Sequence, residues 1–209
     1  MRLRGDNQKG VFGMELKEAI YGRRSVRKYS DRMVEDDVLK EIMDAAMWAP
    51  SGVNLQPWYY VVIRTPENMA RFRQVMAKVS EGNRMYLEER FSSHPEVAES
   101  SIAFIRNMGN APVAVLAFRD KQDYSWALQD EGIVQSIAAS MENLLLCAYD
   151  QGISSCWLTA PAQAHMTGEI RDEFAPGHGE LVAIAVLGYA ADDFNPKAPK
   201  RKEGKYTFI

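Results

Sequence analysis

The chain has 209 residues, 46% of them hydrophobic, which is enough for one sizeable core and too short to favour two domains. Its 25 basic and 28 acidic side chains give a formal net charge of -3, which argues against a general nucleic-acid binder, because such proteins are usually basic. No apolar run approaches the roughly 18 residues of a membrane helix, and the first residues lead into no apolar signal region, so we expect neither a membrane span nor secretion.

Residues 1–13 are predicted to form a flexible arm, because they are charged, contain three glycines and show no periodicity. Residues 14–209 are predicted to form a single domain. Within it, residues 15–21 have apolar side chains at helical spacing, and Gly22 can end that helix. Residues 34–47 place their apolar side chains on one face and are predicted to form an amphipathic helix.

Between these two helices lies a basic stretch, Arg23-Arg24-Ser25-Val26-Arg27-Lys28-Tyr29, which has four cations within six residues. Guanidinium groups match the oxygens of a phosphate in pairs, and the Ser25 hydroxyl adds another hydrogen bond. The basic stretch is therefore a candidate phosphate site. The alternative is a solvated loop whose arginines pair with nearby acids such as Glu35, Asp36 and Asp37.

The second helix is followed by a loop with polar recognition groups, Pro50-Ser51-Gly52-Val53-Asn54-Leu55-Gln56-Pro57. Its two prolines and its glycine disfavour a regular element. Ser51, Asn54 and Gln56 can hydrogen-bond to the polar edge of a ligand, and the alternative is that they only satisfy a Pro-Gly turn. Residues 58–64 are aromatic and β-branched and are predicted to form a buried strand.

The rest of the chain alternates predicted helices and strands. Residues 67–108 are helix-prone and charged, and we expect two or three helices there that form either a lid over a pocket or an outer layer. Residues 130–151 carry the longest apolar stripe and are predicted to form a central helix, buried by the fold or by a second subunit. A basic tail follows residue 195. The other predicted elements are strands at 113–118, 153–158 and 181–189 and a short helix at 166–174.

The sequence lacks the common motifs for catalysis by side chains. It has no Gly-x-Gly-x-x-Gly after a strand, no Walker-type glycine loop and no Gly-x-Ser-x-Gly elbow. Cys147 and Cys156 lack metal-ligand spacing and the three histidines are scattered, so we expect no metal site and a reducing, cytoplasmic location. What remains is the basic stretch, the 50–56 loop and a tail around Arg201. This combination suits an enzyme whose chemistry belongs to a bound cofactor with a phosphate and a polar ring system.

In this order the motifs resemble those of the FMN-dependent nitroreductase superfamily. They are Arg-Arg-Ser-Val-Arg at 23–27 and Ala-Pro-Ser-Gly-Val-Asn-Leu-Gln-Pro-Trp at 49–58, and the resemblance has a gap at 67–108, the variable lid region. It implies an α+β fold, a three-layer sandwich in which helices flank a mixed, mostly antiparallel sheet. It also implies an intertwined homodimer with the long helix at its centre, exchanged C-terminal tails and two FMN molecules in the interface.

The resemblance further implies roles for individual residues. The FMN phosphate and ribityl chain would be held by the basic stretch and the tail, namely by Arg23, Arg24, Ser25, Val26, Arg27, Lys200 and Arg201. The flavin ring would meet the loop, partly from the partner subunit, and a strand end, namely Pro50, Ser51, Gly52, Asn54, Gln56, Trp157, Leu158 and Thr159. No side chain is expected to be catalytic, because the chemistry belongs to FMN, and Thr159 is a candidate partner of flavin N5.

The implied activity is an oxidoreductase in which NADH or NADPH reduces FMN, and FMN then reduces a nitroaromatic, a quinone or a similar small electrophile. Because both reactants would use one face of the ring in turn, we expect ping-pong kinetics. Thr159 and the tail at 200–202 are also similar to the iodotyrosine deiodinase branch, which performs reductive dehalogenation, although Gln56 stands where those enzymes carry an acid. Further alternatives are the flavin-destroying branch, a flavin-binding protein without turnover, and a module for anionic partners.

Overall fold

The computed structural model of the protein describes residues 14–124 and 126–209, so the arm predicted over residues 1–13 lies outside the described residues. The helices are α1 (Leu16–Gly22), α2 (Asp36–Met47), α3 (Pro66–Gly82), α4 (Arg84–Arg90), α5 (Pro95–Asn107), α6 (Asp130–Asp150), α7 (Ala160–Gln163) and α8 (Thr167–Phe174). The strands are β1 (Trp58–Ile63), β2 (Val113–Arg119), β3 (Ser154–Leu158) and β4 (Leu181–Gly188). The predicted helices and strands are confirmed with ends shifted by at most two residues. Among the described residues, three short elements were not predicted: α7 and the 3-10 helices Gly52–Asn54 and Met108–Asn110.

The four strands form one antiparallel sheet in the order β1-β2-β4-β3. The expectation of a mixed sheet is wrong for the described residues, whose parallel pairing is limited to a single bridge between Ser25 and Ser155. The Val26 N–H donates to the Ser155 carbonyl at 2.9 Å, but the Tyr29 N–H already donates to the Gly109 carbonyl. The basic stretch therefore leaves the outer edge of β3 before it can form a fifth strand.

Helices cover both faces of this sheet, which gives the expected three-layer sandwich. Successive side chains of a strand point to opposite faces, and β2 shows this clearly. Ala114, Leu116 and Phe118 belong to the core formed with α3 and α5. Val113, Val115 and Ala117 belong to a second core, formed with α2 and α6.

The strand β1 lies at an edge of the sheet, because it pairs with β2 alone. Its two end residues, Trp58 and Ile63, are buried, but Tyr59 is 39% exposed and residues 60–62 are half-buried. The prediction of a buried strand is therefore wrong for the middle of β1. Aromatic and β-branched residues favour a strand of either kind, so composition alone did not separate an edge strand from an internal one.

The central helix α6 packs its apolar stripe against other parts of its own chain. Ile137, Met141, Leu144 and Ala148 in this stripe are inaccessible to solvent. Its partner in that layer is α2, whose Ile42 and Ala46 are fully buried. The Ser140 hydroxyl fastens the two helices together by donating to the Ala46 carbonyl at 2.6 Å. None of the described helices has the length and apolar character needed to cross a membrane.

The region between β1 and β2 folds into three helices, α3 to α5. The break between α3 and α4 is fixed by Asn83, which is 2% exposed. The Asn83 Nδ2 donates to the Val79 carbonyl at 2.8 Å and to the Ala160 carbonyl at 3.0 Å. This side chain therefore ties the helical region to the residues that immediately follow β3.

Candidate functional site

The basic stretch is held in an extended form beside β3 by two buried side chains, Val26 and Tyr29. The Tyr29 hydroxyl donates to the Val26 carbonyl at 2.8 Å. Burial is the main reason why the pKa of Tyr29 is raised well above its usual range, so this hydroxyl stays neutral. Because neighbours in extended backbone point to opposite sides, Ser25 and Arg27 face away from the core that takes Val26.

Those outward-facing residues line a cationic cavity of about 280 Å³, which we call cavity A. Its walls come from the basic stretch (Arg23, Arg24, Ser25, Arg27) and from the tail (Pro196, Lys197, Pro199, Arg201). Five of these eight residues carry a positive charge, and the described lining contains no carboxylate. Cavity A therefore has the positive charge and the hydrogen-bond donors that an anion site needs.

The hydrogen bonding of the arginines supports this assignment. The buried Arg23 Nε has no hydrogen-bond partner. Glu142 Oε1 lies 3.7 Å from it, which is too far for a hydrogen bond. An adjoining cavity of about 320 Å³ shares Arg23 and Arg24, and one of its lining residues is Ser155, whose buried hydroxyl also lacks a partner. A buried donor without a partner is costly, so a phosphate with neighbouring hydroxyl groups suits this donor set.

The structure places one of the two predicted tail residues at cavity A. Arg201 lines cavity A, whereas Lys200 is not among its described lining residues. Lys197 lines it instead, a residue that the sequence placed in a basic tail without distinguishing it from the other lysines. The spacing of Pro196 and Pro199 around it was the available signal, since two prolines restrict how this segment crosses the cavity.

Arg27 connects cavity A to a second cavity of about 210 Å³, cavity B, because it lines both. Cavity B lies at the end of β3 and is lined by Trp157, Leu158 and Thr159, which the structure thus brings together at one cavity. Its opposite wall comes from α4 and α5, through Leu87, Ser101 and Phe104. The Arg27 guanidinium lies 5.8 Å from the centroid of the Phe104 ring.

Sequence reasoning missed this second wall. Asn83 and Gln163 also line cavity B, and the only signal for Asn83 was a polar side chain next to the glycine that breaks the helical region. Cys156 borders the cavity as well, and burial is the main cause of the raised pKa of its thiol. A thiol that stays protonated is a poor nucleophile.

The 50–56 loop does not join these cavities within one chain. The Gly52 N–H donates to the Ser136 hydroxyl on α6 at 3.1 Å. The loop also uses its own polar groups, since the Gln56 N–H donates to Ser51 Oγ at 3.0 Å and the Gln56 side-chain amide donates to Asn54 Oδ1 at 3.3 Å. Of the five predicted loop residues (Pro50, Ser51, Gly52, Asn54, Gln56), none is among the described lining of cavity A or B.

The helix α6 separates the loop from the basic stretch. Gly52 contacts α6 at Ser136, and Arg23 approaches it at Glu142. Six residues along an α-helix rotate by about 600°, which is about 120° short of two full turns. The two contacts therefore lie about a third of a turn apart around α6 and about 9 Å apart along its axis. A Cβ at Gly52 would come within 2.9 Å of the Leu128 side chain, so the glycine permits this close packing. Among the described residues no group of side chains could hold a metal ion.

The comparisons with known proteins agree with this architecture. The chain matches the nitroreductase family model over residues 20–189. A protein of Archaeoglobus fulgidus, provisionally named NADH dehydrogenase/NAD(P)H nitroreductase, is 30% identical over 184 residues, which cover 86% of this chain and 87% of that protein. Iodotyrosine deiodinase 1 of Mus musculus is 26% identical over 199 residues, covering 90% of this chain and 66% of the deiodinase.

Solved structures give the same result. A BluB-like flavoprotein from Clostridium difficile 630 is 30% identical with a TM-score of 0.69, covering 94% of this chain and 100% of that one. An FMN-dependent nitroreductase from Mycobacterium smegmatis, solved in complex with NADPH, has a TM-score of 0.72 at 18% identity, covers 92% of this chain and 96% of that one, and supports the fold alone. Fold and site thus define an α+β protein with a cationic ligand cavity at one sheet edge. The chain belongs to the nitroreductase family, and its homologues include NAD(P)H nitroreductases.

Proposed function

We propose that the protein is an FMN-dependent oxidoreductase that takes electrons from NADH or NADPH and reduces a small electrophile such as a nitroaromatic or a quinone. The observation that carries this proposal is Arg27, which lines both the cationic cavity A and the ring-sized cavity B. A ligand with an anionic end and a planar end matches such a pair of cavities. The names of the relatives point to the same chemistry.

In this proposal cavity A takes the phosphate and cavity B takes the ring. Arg23, Arg24 and Ser25, joined by Lys197 and Arg201 of the tail, donate to the phosphate. Trp157, Leu158 and Thr159 border the ring, with Thr159 the candidate neighbour of N5. When bound, FMN supplies the hydride chemistry that these side chains cannot perform.

Arg27 contributes electrostatic preorganisation. A guanidinium fixed at the ring stabilises negative charge that develops on a reduced ligand, and it does so without a proton transfer. The one charged side chain in the described lining of cavity B is Arg27. Its contacts with the Ser25 carbonyl at 3.4 Å and with the Phe104 ring hold it at the junction of the two cavities.

The proposal includes a homodimer in which the 50–56 loop of one chain completes the ring site of the other. The loop is partly exposed, with Val53, Asn54 and Gln56 open to solvent, and it does not line cavity A or B of its own chain. It is next to Trp48, which is 86% exposed. The helices α3 to α5 then act as a lid over cavity B, since α4 and α5 form its outer wall. Both cysteines are free thiols, which fits a reducing compartment such as the cytoplasm.

The decisive experiment is the visible spectrum of the purified protein, followed by anaerobic addition of NADH or NADPH. We expect a yellow protein with about one FMN per chain, bleached by at least one of the two nicotinamides and recoloured by a nitroaromatic or a quinone. Steady-state lines should be parallel, as in ping-pong kinetics. A protein that stays colourless after incubation with FMN contradicts the proposal.

Reductive dehalogenation is a second candidate, because Thr159 lines cavity B and a deiodinase is among the relatives. The same reduced protein separates the two activities. Release of iodide from an iodophenol, with slow reduction of nitroaromatics and quinones, favours the dehalogenase. Rapid reduction of those electrophiles without iodide release favours the first activity.

A further inference from the structure

The two walls of cavity B belong to different parts of the fold. One wall is the end of β3 with α7, through Thr159, Ala160 and Gln163. The opposite wall comes from α4 and α5, through Leu87 and Phe104. A planar ring held in cavity B lies between these walls, so the space that remains for a second reactant depends on how far apart the walls stand.

The side chain of Asn83 links the two walls by hydrogen bonds. It is buried at the junction of α3 and α4, and it lines cavity B. Its Nδ2 donates to the Val79 carbonyl at 2.8 Å and to the Ala160 carbonyl at 3.0 Å. Both amide hydrogens are thus used, and because both acceptors are carbonyl oxygens, the orientation of the amide is fixed. Moving either wall would leave a buried donor without a partner, which is costly.

Two neighbouring contacts fasten the same junction to α7. Gly82 precedes Asn83, and a Cβ added at Gly82 would lie 3.0 Å from the Cβ of Ala164, directly after α7. On the other side, the Tyr86 hydroxyl accepts a hydrogen bond from Gln163, which is the largest cause of the lowered pKa of Tyr86. Three contacts close together in sequence therefore hold α7 against the junction of α3 and α4.

We propose that Gly82 and Asn83 determine specificity, because they set the spacing between the two walls of cavity B and so limit how large an electrophile reaches the bound ring. This inference rests on the proposed function, since it presupposes FMN in cavities A and B. Both are positioning residues and take no part in the chemistry. Reacting atoms must approach to about 3–3.5 Å, so even a small displacement of a wall changes which molecules fit.

Gly82→Ala tests the spacing without removing a hydrogen bond. The new Cβ would be closer to Ala164 than ordinary van der Waals contact allows, so α7 should move away from the junction and widen cavity B. Alanine is the better helix former, so the fold should not lose stability.

The readout is the selectivity between a one-ring and a three-ring electrophile, quinones or nitroaromatics, whichever the protein reduces. The ratio of kcat/KM, large over small, should rise by about threefold or more, since a misplacement of about 1 Å changes rates by about 100-fold and this shift is a fraction of that. In ping-pong kinetics the donor step is common to both electrophiles, so it cancels in the ratio. The same change should appear without turnover, in the Kd values of a one-ring and a three-ring aromatic carboxylate that perturb the visible spectrum of bound FMN.

Further variants separate spacing from stability. Gly82→Ala combined with Ala164→Gly removes the crowding and should restore the wild-type ratio. Asn83→Asp keeps the shape of the side chain but turns a carboxylate towards two carbonyls, and should shift the ratio in the same direction as Gly82→Ala. Asn143→Asp is the matched control and should leave the ratio unchanged. The Asn143 amide also donates to a helix carbonyl, that of Ala45 at 3.3 Å, but it joins α6 to α2.

The possible failures are distinguishable. FMN-loaded Gly82→Ala with wild-type ratios of kcat/KM and of Kd overturns this inference alone, as does a shifted ratio that Ala164→Gly does not reverse. A purely structural role would lower both kcat/KM values together and leave their ratio unchanged. If Asn83→Asp does not fold, Gly82→Ala and its double variant decide the question. Wild-type protein that binds no FMN overturns the proposed function and this inference together.

Discussion

At the scale of single residues, the arginines of the basic stretch differ in how free they are to bind a ligand. The Arg24 Nη1 already donates to the Tyr21 carbonyl at 2.6 Å and to the Arg23 carbonyl at 2.7 Å. Arg23 keeps a buried Nε without a partner. Arg27 makes one long hydrogen bond, of 3.4 Å, to the Ser25 carbonyl, beside its contact with the Phe104 ring. Arg23 and Arg27 therefore have more hydrogen-bonding capacity left for an anion than Arg24 has.

This difference predicts an order of effects on FMN retention. Arg23→Ala and Arg27→Ala should each weaken FMN binding by about 1.5–3 kcal/mol, the range for a lost hydrogen bond to a charged group. Arg24→Ala should weaken FMN binding by a smaller amount. The Kd for FMN, measured by fluorescence quenching of the apo protein, checks the order, and Arg71→Ala serves as control because Arg71 is exposed and pairs with Glu173 elsewhere. Wild-type retention in both Arg23→Ala and Arg27→Ala would show that cavity A is not the phosphate site.

At the scale of elements, the short turn after α5 positions the basic stretch. Gly109 has φ of +62°, and its carbonyl accepts from the Tyr29 N–H at 2.9 Å. A Cβ at this position would overlap the Arg27 carbonyl oxygen. The glycine thus allows two segments that are remote in sequence to approach closely where Arg27 turns towards cavities A and B.

We therefore expect Gly109→Ala to destabilise the fold and to weaken FMN binding together. Gly152→Ala is the matched control, because Gly152 has φ of +72° but a Cβ added there would meet nothing within 4 Å. In the control, the free energy of unfolding should fall only by the cost of alanine in a left-handed conformation, about 1 kcal/mol, and FMN should be retained. Gly109→Ala should lower the free energy of unfolding by at least about 1 kcal/mol more than the control does, since it adds a clash with the backbone. Thermal unfolding and FMN titration measure both, and equal losses in the two variants would contradict this role.

The elements also show how far the sequence could predict the structure. The alternation in β2 and the stripe in α6 are strong periodic signals, and both elements were predicted to within one residue. The basic stretch was recognisable because four cations without an apolar face need a partner. The second wall of cavity B could not be recognised from the sequence, because Leu87 and Phe104 follow ordinary helical patterns. Only the tertiary packing of α4 and α5 brings these side chains opposite Trp157. In the same way, nothing local distinguishes Lys197 from Lys200.

At the scale of the whole molecule, the exposed apolar side chains require an explanation. Tyr21 is 73% exposed, Trp48 is 86% exposed and Trp126 is 74% exposed. Trp48 lies two residues before the 50–56 loop, and Tyr21 lies two residues before the basic stretch. Large exposed aromatic residues next to recognition elements are typical of interfaces. They favour the proposed dimer, in which the loop of one chain faces the cavities of the other.

Subunit complementation tests this arrangement directly. One chain carries Arg27→Ala, and the other carries Asn54→Asp, which removes the amide of Asn54 from the loop while aspartate still tolerates the left-handed backbone there (φ of +57°). Each homodimer should retain little FMN. In a heterodimer isolated with two affinity tags, one site combines both defects and the other combines the intact basic stretch with the intact loop. We therefore expect about one FMN per heterodimer with near wild-type affinity. If the loop served its own chain, each site would carry one defect, and the heterodimer would retain as little FMN as either homodimer.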